Sequence, residues 1–74
     1  MPSLPVISGK KCVNALEKID FIVHSQKGSH IILVRNNPKS RISVPNHKEL
    51  DRGTLRAIIR QANLTVDQFI DLLS

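Results

Sequence analysis

The sequence predicts a two-layer α+β sandwich, with a three-stranded antiparallel sheet and helices on one of its faces. Three observations predict it. Apolar residues recur at helical spacing near the N-terminus, β-branched runs separated by turn residues fill the middle, and the helical period returns from residue 55 onward. Seventy-four residues supply one core and one domain, residues 1–74. A chain of this size buries only about 60% of its unfolded surface, so its stability is modest unless a partner adds to it.

Residues 1–7 read as an extended lead, because Pro2 and Pro5 oppose helix. Ser8 is suited to cap a helix whose buried stripe is Cys12, Val13, Leu16 and Ile19. Asp20 stands where a left-handed residue commonly ends a helix. The stretch FIVHSQ follows as a strand, with Phe21, Val23 and Ser25 on one face and Ile22, His24 and Gln26 on the other. Lys27-Gly28 reverses the chain into SHIILVR, a second strand rich in β-branched residues. NNPK, residues 36–39, supplies another turn. The third strand, SRISV, alternates Ile42 and Val44 against Arg41 and Ser43, and Pro45 ends it. Leu55, Ile58, Ile59 and Ala62 then mark a helix that stops near Asn63. T-V-D-Q, from Thr65, is a capping-box pattern ahead of a stripe of Val66, Phe69, Ile70 and Leu73. The C-terminal part is therefore one broken helix or two short ones.

Composition narrows the function. With 41% hydrophobic and 23% charged residues, the chain is ordinary globular material. Phe21 and Phe69 are its only aromatics, which argues against a platform of exposed rings for stacking RNA bases. The single cysteine, Cys12, rules out an internal disulfide and a cysteine-rich zinc site, and fits a reducing cytoplasm. No apolar run has the length of a signal peptide or membrane span, so the expected location is the cytoplasm. Net charge is +5, and it is unevenly spread. Eleven bases against Glu17, Asp20, Glu49 and Asp51 leave residues 1–60 at +7, while Asp67 and Asp71 put residues 61–74 at −2. A basic body with an acidic end suggests a polyanionic partner; solubility alone is the plainer reading.

Three histidines are the candidates for chemistry. His24 lies mid-strand with no neighbouring turn, which favours a structural or surface role. His30 follows a glycine turn directly, and His47 sits in the loop PNHKEL before the second helical stretch. No pair has the spacing of a metal motif, so no metal or other cofactor is expected. Cys12 belongs to an apolar helical face, and the carboxylates each suit a helix surface or helix start. Arg52, Arg56 and Arg60 recur every four residues and align along the helix, off its apolar face. Lys48 precedes them near the helix start, where the dipole also favours anions. Such a row can follow a phosphate backbone, or it can simply be a solvated face.

The order SGKKCVNALEKIDF, QKGSHIILV and VPNHKELDRGTLRAIIRQANLTVDQFIDLL resembles the HicA family of small bacterial mRNA-interferase toxins, also called YcfA-like proteins. The likeness runs over residues 4–73, and the GSH turn combined with the run from His47 to Ala62 is its specific part. It implies the α-β-β-β-α fold of a double-stranded-RNA-binding domain, in agreement with the order of elements above. Asp20 and Asn63 depart from it, standing where relatives commonly have glycine, and NNPKS replaces a more usual Asp-Gly hairpin. The first departure touches stability rather than catalysis, and the second leaves the active residues alone.

The resemblance further implies that His30 is the catalytic residue of an endoribonuclease acting on mRNA. It also implies that a HicB-type antitoxin masks the site. On that reading a neutral imidazole takes the proton of a ribose 2′-hydroxyl, and the oxygen attacks the adjacent phosphorus. Lys27, Gly28, Ser29, His47, Lys48, Arg52 and Arg56 are the residues expected to contact RNA. Lys27 or an arginine of the row would stabilise the phosphorane; His47, a lysine or water would protonate the leaving oxygen. A non-catalytic RNA-binding module of the same fold, or a domain that meets only an acidic protein, are the alternatives.

Overall fold

The computed structural model describes residues 4–73. Helix α1 spans Gly9–Glu17, strands β1, β2 and β3 span Ile22–Lys27, His30–Asn36 and Lys39–Pro45, and helices α2 and α3 span Arg52–Gln61 and Val66–Leu72. The strands form one antiparallel meander in the order β1-β2-β3. Ile31 pairs with Val44 and Leu33 with Ile42, so these four share a face, and all four are buried in the core with the helices. Helices α1 and α2 pack on β3, and α3 rests on both helices. The α+β sandwich read from the sequence is the fold, and the C-terminal stretch is two helices.

Local sequence accounts for most boundaries. The Ser8 hydroxyl accepts the Lys11 amide and caps α1. Thr65 and Gln68 complete a reciprocal capping box at α3. Asp20 and Asn63 both take positive φ, 74° and 64°, and release the chain from α1 and α2. The expected stripes of α1 and α2 are buried, except that Ile19 lies in the turn after α1 and is only half-covered. Of the α3 stripe Phe69 is buried, while Val66, Ile70 and Leu73 are half-covered.

Of the extended lead, residues 1–3 lie outside the described residues, and residues 4–7 form no helix or strand but place Leu4 and Ile7 in the core. Two expectations need correction. The first hairpin turns on Gly28-Ser29, since Lys27 and His30 are already paired. Positive φ falls on the first of these two residues only (Gly28, 59°), the pattern of a type II′ turn that suits the twist of the strands. Strict alternation in β1 fails because Val23 pairs with Leu33 and Ser25 with Ile32, leaving His24 as the extra residue of a bulge. From Ile22 onward β1 is an open edge; Ile22 is 60% and Val23 49% exposed.

Candidate functional site

His30 is the first residue of β2, and two independent constraints hold it. On one side the Gly28 turn fixes its pairing with Lys27. On the other it pairs with Pro45, the last residue of β3, and the Asn46 amide donates to the Ser29 carbonyl. Residues of one cross-strand pair share a face, so His30 belongs with Ile32 and Val34 on the face turned away from the helices. The His30 side chain is exposed there. Its Nδ1 lies 3.4 Å from Oγ of Ser43, an exposed residue of β3 on the same face. Sequence reading placed Ser43 only as an outward partner of Arg41. Its meeting with His30 depends on the β2–β3 register, which no local signal carries.

The loop after β3 closes the same end of the molecule. The His47 carbonyl accepts the Gly9 amide at 2.9 Å, and the Ile7 carbonyl accepts the Leu50 amide at 2.9 Å. Gly9 abuts the Pro45 carbonyl so closely that a Cβ there would collide with it. Helix α1 therefore docks backbone-to-backbone beside the histidine. The structure thus gathers Lys27, Gly28, Ser29, His30 and the backbone of His47 at one end.

The arginine row is spread out. The Ser40 hydroxyl donates to the Gln61 carbonyl, so α2 runs back along β3. Arg52 starts at the histidine's end, and Arg56 and Arg60 recede from it. All three are exposed, as their spacing predicts. Arg56 and Arg60 line a separate groove of about 510 Å³ over Ile59, Leu64 and Val66. The start of α2 is already capped: Thr54 donates its hydroxyl to Oδ1 of Asp51 at 2.6 Å and its amide to Oδ2 at 3.0 Å. These bonds, the hydroxyl's foremost, hold the Asp51 carboxyl below its usual range. A carboxylate therefore occupies the position where the sequence suggested an anion site beside Lys48.

The remaining candidates are structural. Cys12 has no exposed surface, and burial pushes its thiol up to about 12, far from a reactive thiolate. Arg35, which the sequence did not single out, ties the α1 exit to the second hairpin. Its guanidinium donates to the Ile19 carbonyl and, through Nε, to that of Pro38, while lying 4.4 Å from the centre of the Phe21 ring. Among the described residues no three His, Cys, Asp or Glu side chains come together in a way that could hold a metal ion.

The family model of the HicA toxin of bacterial toxin–antitoxin systems matches residues 9–64, from the start of α1 through the residue after Asn63. This chain belongs to the HicA toxin family. The match includes the GSH hairpin, all of the sheet and α2; α3 lies beyond it. As a HicA-family protein the chain is the toxin member of a toxin–antitoxin pair, so an antitoxin is its implied partner. A comparison with curated proteins gives no match. Among the described residues, no helix of this HicA-family chain is long and apolar enough to cross a membrane.

Proposed function

We propose that this HicA-family toxin is a metal-independent endoribonuclease that cleaves mRNA in the cytoplasm, with His30 as general base. The observation that supports the reading best is the placement of His30: an exposed imidazole held from both sides by backbone pairing, with Ser43 beside it. When Nδ1–H donates to Ser43 Oγ, the lone pair on Nε2 is free for chemistry. Nε2 takes the proton of a ribose 2′-hydroxyl, the 2′-oxygen bonds to phosphorus, and the bond to the 5′-oxygen breaks. The products are a 2′,3′-cyclic phosphate and a 5′-hydroxyl, which takes its proton from His47, a lysine or water. Lys27, paired with His30, offers a cation to the phosphorane, and the Gly28-Ser29 turn lets the backbone come close to the phosphate. Lys48, Arg52 and Arg56 supply phosphate contacts outward from this end. A HicB-type antitoxin silences the toxin by covering the histidine.

The test compares three histidine variants at saturating RNA in the presence of EDTA. His30→Ala loses about 10²–10⁴-fold in rate, the usual contribution of a positioned base. His24→Ala, exposed at the β1 bulge, cleaves like the unmodified protein. His47→Ala falls between them. All three melt alike, because each side chain is exposed. Equal rates for His30→Ala and His24→Ala would leave an RNA-binding module without catalysis. Upstream fragments ending in 3′-hydroxyl, or cleavage that returns only with added divalent metal, would overturn the 2′-hydroxyl mechanism.

A further inference from the structure

The sheet face away from the helices carries an ordered set of side chains besides His30. Cross-strand pairing arranges it in rows: Lys27–His30–Pro45, then Ser25–Ile32–Ser43, then Ile22–Val34–Arg41, and finally Asn36–Lys39. Lys27, Lys39 and Arg41 are all exposed, and none has a hydrogen-bond or ion-pair partner among the described residues. No Asp or Glu occurs between Phe21 and Pro45. The apolar part is a strip down the middle. Ile32 is only 8% exposed yet stands outside the core cluster, while Ile22 remains 60% exposed. At the far end Ile22 and Val34 line a hollow of about 270 Å³ with Asn36, Asn37, Arg35 and Asp20. Helices cover the opposite face only, and nothing in the described chain covers this one.

We infer that this uncovered face is the track for the single-stranded stretch of RNA next to the scissile phosphate. Bases lie against Ile22 and Val34, and Arg41 takes a backbone phosphate. Charge complementarity selects the occupant: a strip of apolar surface edged by cations, with no acid among its strand positions, matches a chain of flat bases and regular phosphates. Val34 and Arg41 are four residues along their strands from His30 and Pro45, about 13 Å at the rise of a β-strand. The contacts therefore fall on nucleotides beyond the one being cut. The Asn36 and Asn37 amides and the Asp20 carboxylate beside the hollow present both donors and acceptors to a base edge, so this end can discriminate between bases. The inference rests on RNA being the substrate, but not on His30 being the base.

The experiment measures binding of a 2′-O-methyl RNA oligonucleotide, which lacks the attacking hydroxyl, by fluorescence anisotropy across a salt series. Arg41→Ala weakens binding and lowers the slope of log affinity against log salt by about one unit, the loss of one phosphate contact. Ile22→Ser weakens binding several-fold at unchanged slope, since it removes apolar contact and no charge. Arg60→Ala, at the end of α2 remote from His30, serves as control and changes neither. On cleavable RNA, Arg41→Ala raises KM and leaves kcat in place. Ile22 and Arg41 are exposed, so melting of both variants should stay unchanged and confirms that they fold. Arg41→Ala and Ile22→Ser that bind the oligonucleotide like the unmodified protein overturn the proposal, and so does a loss confined to antitoxin binding. Full cleavage by His30→Ala alongside weak binding by Arg41→Ala would keep the track and remove the catalytic assignment instead.

Discussion

Ser43 tests how a single hydroxyl acts through the histidine beside it. With Oγ 3.4 Å from Nδ1 of His30, it is the side chain positioned to set the ring's tautomer and angle. A hydrogen bond of this kind contributes about 0.5–1.5 kcal/mol net, so Ser43→Ala should lower kcat roughly two- to tenfold. KM should hardly change, and Ser43→Thr should restore the rate. The nitrogen chemical shifts of the His30 ring, measured without RNA, should move from the Nδ1–H toward the Nε2–H tautomer in Ser43→Ala. Unchanged shifts and an unchanged kcat together would remove Ser43 from the mechanism. At this scale the sequence was half-legible. His30 announced itself through the glycine turn, whose positive φ is a local property. Ser43 stands thirteen residues away and joins His30 only through strand register, which local propensity does not encode.

Among the elements, α1 is set by one residue whose role is invisible in a helical wheel. Gly9 donates its amide to the His47 carbonyl and lies against the Pro45 carbonyl. Its missing Cβ lets the helix reach the end of β3. Gly9→Ala should therefore destabilise the protein although alanine is the better helix former, because the intruding methyl must push α1 from β3. Overpacking of this sort costs about 1–3 kcal/mol, readable as a fall in the midpoint of urea unfolding. A variant as stable as the parent would show that the α1–β3 contact relaxes freely. Cleavage should suffer too, since the same displacement moves the loop that holds Ser29 through Asn46. Helix caps were readable in advance because a cap and its target are three residues apart. The β1 bulge was not, since a bulge exists only relative to a partner strand.

Across the whole molecule the core sets a pH dependence of stability through Cys12. Burial raises its thiol from an ordinary 9.0 to about 12, so the folded protein keeps a proton that the unfolded chain gives up. Stability from this group is fully present below about pH 9 and is lost progressively as pH rises toward 12. Chemical denaturation of the parent and Cys12→Ala across that range should show the parent losing stability more steeply. Every other group is common to the two proteins, so the difference in slope reports the thiol. Parallel curves would mean that the thiol reaches water in the folded state. Wholeness also decides the surface: three helices on one face leave the other to its basic and apolar side chains.

The order of elements, their caps, the buried stripes and the GSH histidine were determined by the sequence alone. Each depends on spacings of a few residues, within reach of a single turn or strand. The tertiary structure alone decided which strand positions share a face, where β1 bulges and how close α1 approaches β3. It also decided that Ser43 meets His30, and that Arg41 lies on the histidine's face while Arg56 and Arg60 line a groove elsewhere. Those facts arise from pairing between distant segments, and a shift of one residue in register would send every side chain of a strand to the opposite face.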